Sequence, residues 1–337
     1  MPAPGGAVTE LPVAVDAMGG DKAPSEIVAG ARQAQDVLGV PVVLVGRRDA
    51  IGDTLGLDVI EASEVIEMDD DPGPAVRHKK DSSLVRAAEA VRDSRASAMV
   101  SAGNTGATMA SALLRMGRIK GIARPAIATP IPRVGSHPSL LLDAGANAEC
   151  TPQMLVQFAQ MGSVFAQERY QVESPTVALL SIGEEPTKGS GLVKETHALL
   201  AELPDLNFVG NVEGRDLLPA TADVVVTDGF TGNVALKTLE GSLKFFMNLL
   251  LEVFSVNEDT KRAAEVLMPH LAPLADDLDP DGTGGAVLLG VSGVCVISHG
   301  SSNARAIVNA VRVAHEAVTG DLVGRLTRAV APPAAGE

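Results

Sequence analysis

TVALLSIGEEPTKGSGLVKETHALLA, residues 176–201, holds one repeating unit of the fold. Val177 to Leu180 form an apolar run without polar interruption, which reads as a short strand buried on both faces. A glycine- and acid-rich stretch closes it, and from residue 189 to 202 the pattern becomes that of a helix. A strand passing through a short loop straight into a helix is the unit from which parallel sheets are built.

The same unit recurs outward in both directions. LPVAVDAMGG (11–20), PVVLVG (41–46), SAMVSAGN (97–104), AIATPIP (126–132), SLLLDAGAN (139–147), ADVVVTDGF (222–230) and GVCVISHGS (293–301) all read as buried strands closing on Gly, Asp or Asn. Helical patterns fall near 24–38, 82–95, 104–117, 151–168, 232–255 and 301–318. The alternation predicts an α/β fold with a doubly wound, mostly parallel sheet. Residues 11–330 read as a single α/β catalytic unit with a helical excursion over 236–281, where a long apolar helix gives way to a Pro- and Asp-rich return. The ends, 1–10 and 331–337, read as disordered tails rich in Pro, Ala and Gly.

Composition narrows the function. The 337 residues carry a net charge of -15 and only 2% aromatics, which disfavours nucleic acid as a partner, since phosphate backbones need a basic face and stacking needs aromatic rings. Cys150 and Cys295 are far apart and lack CxxC spacing, so they read as inert thiols in a reducing cytoplasm with no zinc. No run reaches the ~18 apolar residues of a membrane span, and the first residues lack the regions of a signal peptide.

Ligands of doubly wound sheets bind beyond the carboxyl ends of the strands. Six anion-type loops lie there: DAMGGDKAPSE (16–26), SAGNTGAT (101–108), DAGAN (143–147), IGEEPTKGSG (182–191), DGFTGN (228–233) and SHGSSNAR (298–305). Backbone N–H groups exposed by glycine at a helix start bind phosphate, although each loop alone also fits ordinary turn chemistry. The fingerprints GxGxxG after a strand, GxxxxGK[ST], HExxH and GxSxG are absent, which disfavours nucleotide, zinc-peptidase and nucleophile-elbow readings. His299 beside Ser298 is disfavoured as a catalytic pair, because sequence neighbours rarely face each other.

In this order the motifs resemble the bacterial phosphate acyltransferases of the acyl-phosphate route to phosphatidic acid. VAVDAMGGDKAP, SAGNTGAT, GRIKGIARPAIATPIP, LLDAGAN, IGEEPTKG with LVKE, FVGNVEGRD, ADVVVTDGFTGNVALKTLEG and GVCVISHGSSNARAI carry the resemblance over nearly the whole chain. Lys22, where His often stands in that family, and Pro186 depart from its pattern. The resemblance implies a homodimer with an isopropylmalate-dehydrogenase-like and phosphotransacetylase-like fold. It also implies fatty acyl transfer from acyl carrier protein to inorganic phosphate, for phospholipid synthesis. The protein would work in the cytoplasm as a peripheral protein of the membrane surface, beside a downstream glycerol-3-phosphate acyltransferase. Two other readings stay open: an oxidoreductase on a dehydrogenase-like fold, and a phosphate- or lipid-binding protein without activity.

Acyl transfer from a thioester to phosphate needs neither a protein nucleophile nor a metal or other cofactor, because phosphate dianion is itself the nucleophile. It needs a cation for phosphate, donors for the oxyanion, and alignment. Lys188 resembles the family's functional lysine and supplies the cation; Asn233 supplies amide donors. Asn104, Thr105, Gly106, Gly183, Gly232, His299 and Ser301 are expected along the phosphate and substrate path, with Glu184, Glu185 and Asp228 orienting Lys188. The bland alternatives are a solvated Lys188 paired with Glu184 or Glu185, and Asn233 as a helix N-cap. Arg115, Arg118, Lys120 and Arg124 form the densest basic cluster and are expected to dock the carrier, or else to be a solvated connection; Arg77, His78, Lys79 and Lys80 form a second. Leu236, Leu239, Leu243, Phe246, Leu250 and Val253, widened by Phe245, Leu249 and Phe254, make one helical stripe suited to a dimer interface. A core face is the alternative, and a membrane-resting tip near Phe254, Val256, Leu267 and Met268 is another.

Overall fold

The first half of the chain alternates as expected. β1 (Val13–Asp16), α1 (Ser25–Leu38), β2 (Val42–Gly46), α2 (Arg48–Ile51) and β3 (Asp58–Glu61) are followed by α3 (Pro72–His78), α4 (Ser83–Arg92), β4 (Ala98–Ser101) and α5 (Thr105–Arg115). β5 (Ala126–Ile131), β6 (Ser139–Leu142), α6 (Pro152–Tyr170), β7 (Val177–Leu180), α7 (Gly191–Ala201), β8 (Phe208–Val212) and β9 (Val224–Val226) come next. The chain closes with α8 (Gly229–Phe254), α9 (Glu258–Asp277), α10 (Pro280–Thr283), β10 (Ala286–Leu289), β11 (Val294–Ile297), α11 (Ala304–Thr319) and α12 (Leu322–Ala329). This computed structural model describes residues 11–219, 221–278 and 280–330; both expected tails lie outside the described residues.

Strand and helix segments expected from the sequence coincide with observed elements, and three strands were not expected. β3 is a half-exposed edge carrying Asp58 and Glu61, so it lacks the apolar run of a central strand. β8 is broken by Gly210 at φ +101 and by a register shift against β7. β10 is a short apolar run that follows the excursion. Helix α9 was read only as a polar return, because it contains Pro269 and Pro273.

All described strands join one sheet ordered β3-β2-β1-β4-β11-β10-β5-β6-β9-β7-β8. Pairing is parallel except at β10–β11, β10–β5 and β5–β6. The central strands are closed to solvent on both faces: the neighbouring pairs Val13 and Ala14, Ala98 and Met99, Leu140 and Leu141, and Val177 and Ala178, which point to opposite sides, are all 0% exposed. Each buried Val or Leu contributes about 1.5–3 kcal/mol, which offsets the ordering of a chain nearly without aromatics.

Register explains where a ligand can bind. β5 serves two neighbours in succession, Ala126–Ala128 pairing with β10 and Thr129–Ile131 with β6. On one side, Ser101 lies opposite Ile297, which lies opposite Ala286, one residue from the Val287–Ala128 pair. On the other, Leu141 lies opposite Thr129, while Leu142 and Leu179 both lie opposite Val226. Because β5 is antiparallel to β6 and parallel in direction to β4, the two half-sheets run towards each other. Their carboxyl ends stop at the same level, that of Ala128 and Thr129. Ala107 and Ala112 of α5 are buried in one cluster with Ile127 and Ala144, joining the two sides at this level.

Helices α8 and α9 depart from this body. Only Gly229 and Gly232 of α8 are buried, and Leu236 and Leu239 are partly buried against the core. Phe245 and Phe246 are 66% and 63% exposed, so the stripe beyond the first turns is not a core face. Both cysteines are free. Burial pushes the Cys295 thiol up to about 12 and the half-buried Cys150 up to about 11, where the carboxylates of Asp143 and Asp228 add to the effect.

Candidate active site

Three adjacent parallel strands, β6, β9 and β7, end together on one edge. Their loops carry Asp143–Asn147, Asp228–Asn233 and Ile182–Lys188. Neighbouring strands lie ~4.8 Å apart, so the three loops leave the sheet side by side.

Asp143 organises the first loop. It is fully buried and accepts five N–H bonds. Ile127, Gly145 and Ala146 donate from the backbone to Oδ1 at 3.0, 3.2 and 2.9 Å, and Asn147 donates its backbone and amide N–H to Oδ2 at 2.7 and 2.8 Å. Burial pushes the carboxyl above its ordinary pKa, and these donors oppose that shift by favouring the charged form. The Asn147 amide also reaches Pro125 O at 2.8 Å, which ties the loop to the start of β5.

The second loop docks on the first. Gly229 N–H donates to Asn147 O at 2.8 Å, and a Cβ on Gly232 would stand 2.0 Å from Asp143 O, so only glycine allows this approach. Asp228 caps α8 by accepting from Thr231 N and Thr231 Oγ1, at 2.9 and 2.7 Å. The cap is therefore Asp228 and not Asn233, with both carboxylate oxygens of Asp228 engaged by Thr231. Asn233 sits one turn later, exposed and facing Gly145, and its amide has no partner among the described residues. Phe230 beside it is 66% exposed.

The third loop presents Lys188. Gly183 is buried beneath it, and a Cβ there would stand 2.8 Å from Lys188 Cγ. Glu184 pairs instead with Arg215, at 3.6 Å, and Glu185 O accepts the Lys188 backbone N–H at 3.0 Å. The Lys188 ammonium forms no ion pair among the described residues, so the expected bland pairing with Glu184 or Glu185 is not formed. Ile182, 81% exposed, stands at the loop's entrance.

The remaining expected residues lie on the opposing half-sheet. Asn104 is not free for phosphate: its Oδ1 caps Ala107 N at 3.0 Å, and its amide donates to Met68 O and Asp70 O, both at 3.0 Å. Thr105 and Gly106, in the first turn of α5, keep backbone N–H groups without a partner among the described residues. His299 Nδ1 and Ser301 Oγ bond each other at 2.8 Å beside Gly300, whose carbonyl accepts from Asp21 N. Among the described residues no hydrogen bond or ion pair joins His299 or Ser301 to the Lys188 loop. Of the basic cluster, Arg118, Lys120 and Arg124 are exposed, whereas Arg115 is tucked 3.7 Å from Glu89 and leaves that surface. Arg118 also donates to Ala123 O.

Solved structures of low sequence identity share this fold. A phosphotransacetylase from Streptococcus pyogenes superposes with a TM-score of 0.63 at 17% identity, over 92% of this chain and 95% of its own. A branched-chain phosphotransacylase from Enterococcus faecalis gives 0.60 at 15% identity, over 91% and 99%. Sequence is more specific. A model described as fatty acid synthesis protein matches residues 11–325. Phosphate acyltransferases from Heliobacterium modesticaldum and a Geobacillus species are 48% and 47% identical, over 93% and 95% of this chain and 96% and 98% of theirs. The chain belongs to the fatty acid synthesis protein family whose curated relatives are phosphate acyltransferases.

Proposed function

We propose that this enzyme transfers a fatty acyl group from acyl carrier protein to inorganic phosphate. The observation that carries this reading is the placement of a Lys188 ammonium and an Asn233 amide on adjacent strand ends, neither with a side-chain partner among the described residues. Phosphate dianion binds Lys188 and the free N–H groups at the helix starts. One phosphate oxygen attacks the thioester carbonyl, and Asn233 donates to the oxyanion of the tetrahedral intermediate, a contribution of ~2.7 to 4 kcal/mol per donor. Collapse breaks the C–S bond. The leaving thiolate takes the remaining phosphate proton, so the thioester and HPO4²⁻ yield acyl phosphate dianion and the carrier thiol. Ile182 and Phe230, exposed beside the polar pair, give the acyl chain an apolar path.

The partners follow the exposed surfaces. Arg118, Lys120 and Arg124 attract the acidic carrier despite an overall charge of the same sign. Phe245, Phe246 and Leu249, at 66%, 63% and 42% exposure, are covered by a second copy of the chain. Among the described residues no helix is long and apolar enough to cross a membrane. Peripheral contact uses Val266, Leu267 and Met268 of α9; the turn into α9 itself is charged at Glu258, Asp259, Lys261 and Arg262. The acyl phosphate then feeds a glycerol-3-phosphate acyltransferase at that surface.

The test is to incubate the protein with palmitoyl carrier protein and phosphate and trap acyl phosphate with hydroxylamine. Hydroxamate that requires phosphate supports the reading; its absence leaves a binding protein.

A further inference from the structure

Behind the Lys188 loop stands a polar pair, one member buried and the other half-buried, that the chemistry above does not use. Asn211 on β8 is 6% exposed, and its Nδ2 donates to Glu185 O at 3.0 Å. The same carbonyl accepts the Lys188 backbone N–H at 3.0 Å. A carbonyl only accepts, so the Asn211 amide must turn its nitrogen to Glu185 and its Oδ1 to His197 Nδ1, 2.9 Å away. Two acceptors do not bond, so His197 Nδ1 carries the hydrogen. His197 lies on α7, the helix that follows the loop, and its ring meets Phe208 edge-on at 5.1 Å.

We propose that Asn211 and His197 are positioning residues that fix the loop presenting Lys188 to phosphate, acting as a relay from α7 through β8 to the Glu185 carbonyl. The inference rests on the reading of Lys188 as the phosphate-holding cation. Lys188 is a long side chain on an exposed loop, and its reach is defined only if its backbone is held. The relay supplies that restraint from two elements the loop itself does not contain.

The test compares Michaelis constants. Asn211→Ala is expected to raise the KM for phosphate about tenfold and to lower kcat, because small misplacements of an aligned group are costly, while leaving the KM for the acyl donor unchanged. A merely structural loss lowers the active fraction and moves neither KM. His197→Asn restores an N–H near the Nδ1 position and is expected to stay near wild type; His197→Gln places its N–H near Nε2 and is expected to behave like Asn211→Ala. Nitrogen-15 NMR of the wild-type protein is expected to show His197 protonated at Nδ1. If Lys188→Ala is inactive but Asn211→Ala keeps the wild-type phosphate KM, the relay is wrong and the Lys188 reading stands. Normal turnover in Lys188→Ala overturns both. Should Asn211→Ala fail to fold, the two His197 variants and the tautomer decide: equal phosphate KM values for both variants, or an Nε2–H tautomer, overturn the proposal.

Discussion

Asn147 gives both its backbone N–H and its side-chain amide to a single oxygen of Asp143, at 2.7 and 2.8 Å. This double bond of contacts shapes the loop on which α8 docks, and α8 carries Asn233. The site's precision therefore begins with a buried carboxylate, Asp143.

Replacing that carboxylate tests the claim. Asp143→Asn turns an N–H2 group towards backbone donors and leaves at least one of them unpaired, at about 1–3 kcal/mol for each orphaned group. Denaturant unfolding should show a clear loss of stability, with activity falling in parallel. An unchanged midpoint would mean that the five donors do not stabilise the fold.

Glu168 sets a pH dependence of stability. It is 7% exposed, its Oε2 has no hydrogen-bond partner, and burial raises its pKa above the ordinary 4.5, against the opposing charges of Arg169 and Arg325. The folded chain thus holds this proton more tightly than the unfolded chain, so its contribution to stability falls as pH rises above 4.5. Glu168→Gln should melt higher than wild type at pH 7, with the gap closing on acidification below 4.5. A gap that widens in acid contradicts this sign.

The basic surface has a kinetic signature. Arg118→Glu with Lys120→Glu should raise the KM for carrier-bound acyl substrate by about tenfold or more, as charge reversal at a docking rim does, and leave a soluble thioester unaffected. Equal effects on both donors would point to damage at the reaction centre.

The projecting hairpin predicts assembly. Phe245→Asp with Phe246→Asp should shift the protein from dimer to monomer in sedimentation without unfolding the sheet, since neither side chain touches the core. Sedimentation of the wild-type chain as a monomer would instead leave these residues without a partner.

Much of the fold was readable because a buried parallel strand announces itself by an unbroken Val, Leu and Ala run, and the glycines after it mark the loops. β8 was not readable, since Gly210 and its bulge interrupt the run. The loops were readable where a close approach demands glycine, as at Gly183 and Gly232. The site was misread where a side chain's partner is distant: Asn104 serves the backbone at Met68 and Asp70, and Arg115 turns to Glu89. Asp143 and Asn147 were missed as organisers, although a charged residue closing the apolar strand SLLL was a visible signal. The His197–Asn211 contact joins a helix to a strand and left no pattern in the sequence.

The central claim is that Lys188 holds the attacking phosphate on the edge shared with Asn233. Acyl phosphate formation by purified Lys188→Ala, measured beside wild type and Asn233→Ala with fold checked by circular dichroism, tests it most directly. The account predicts no product from Lys188→Ala and a turnover reduced by about 10²–10³ in Asn233→Ala, the loss typical of one oxyanion donor. Normal turnover by a folded Lys188→Ala protein would contradict it.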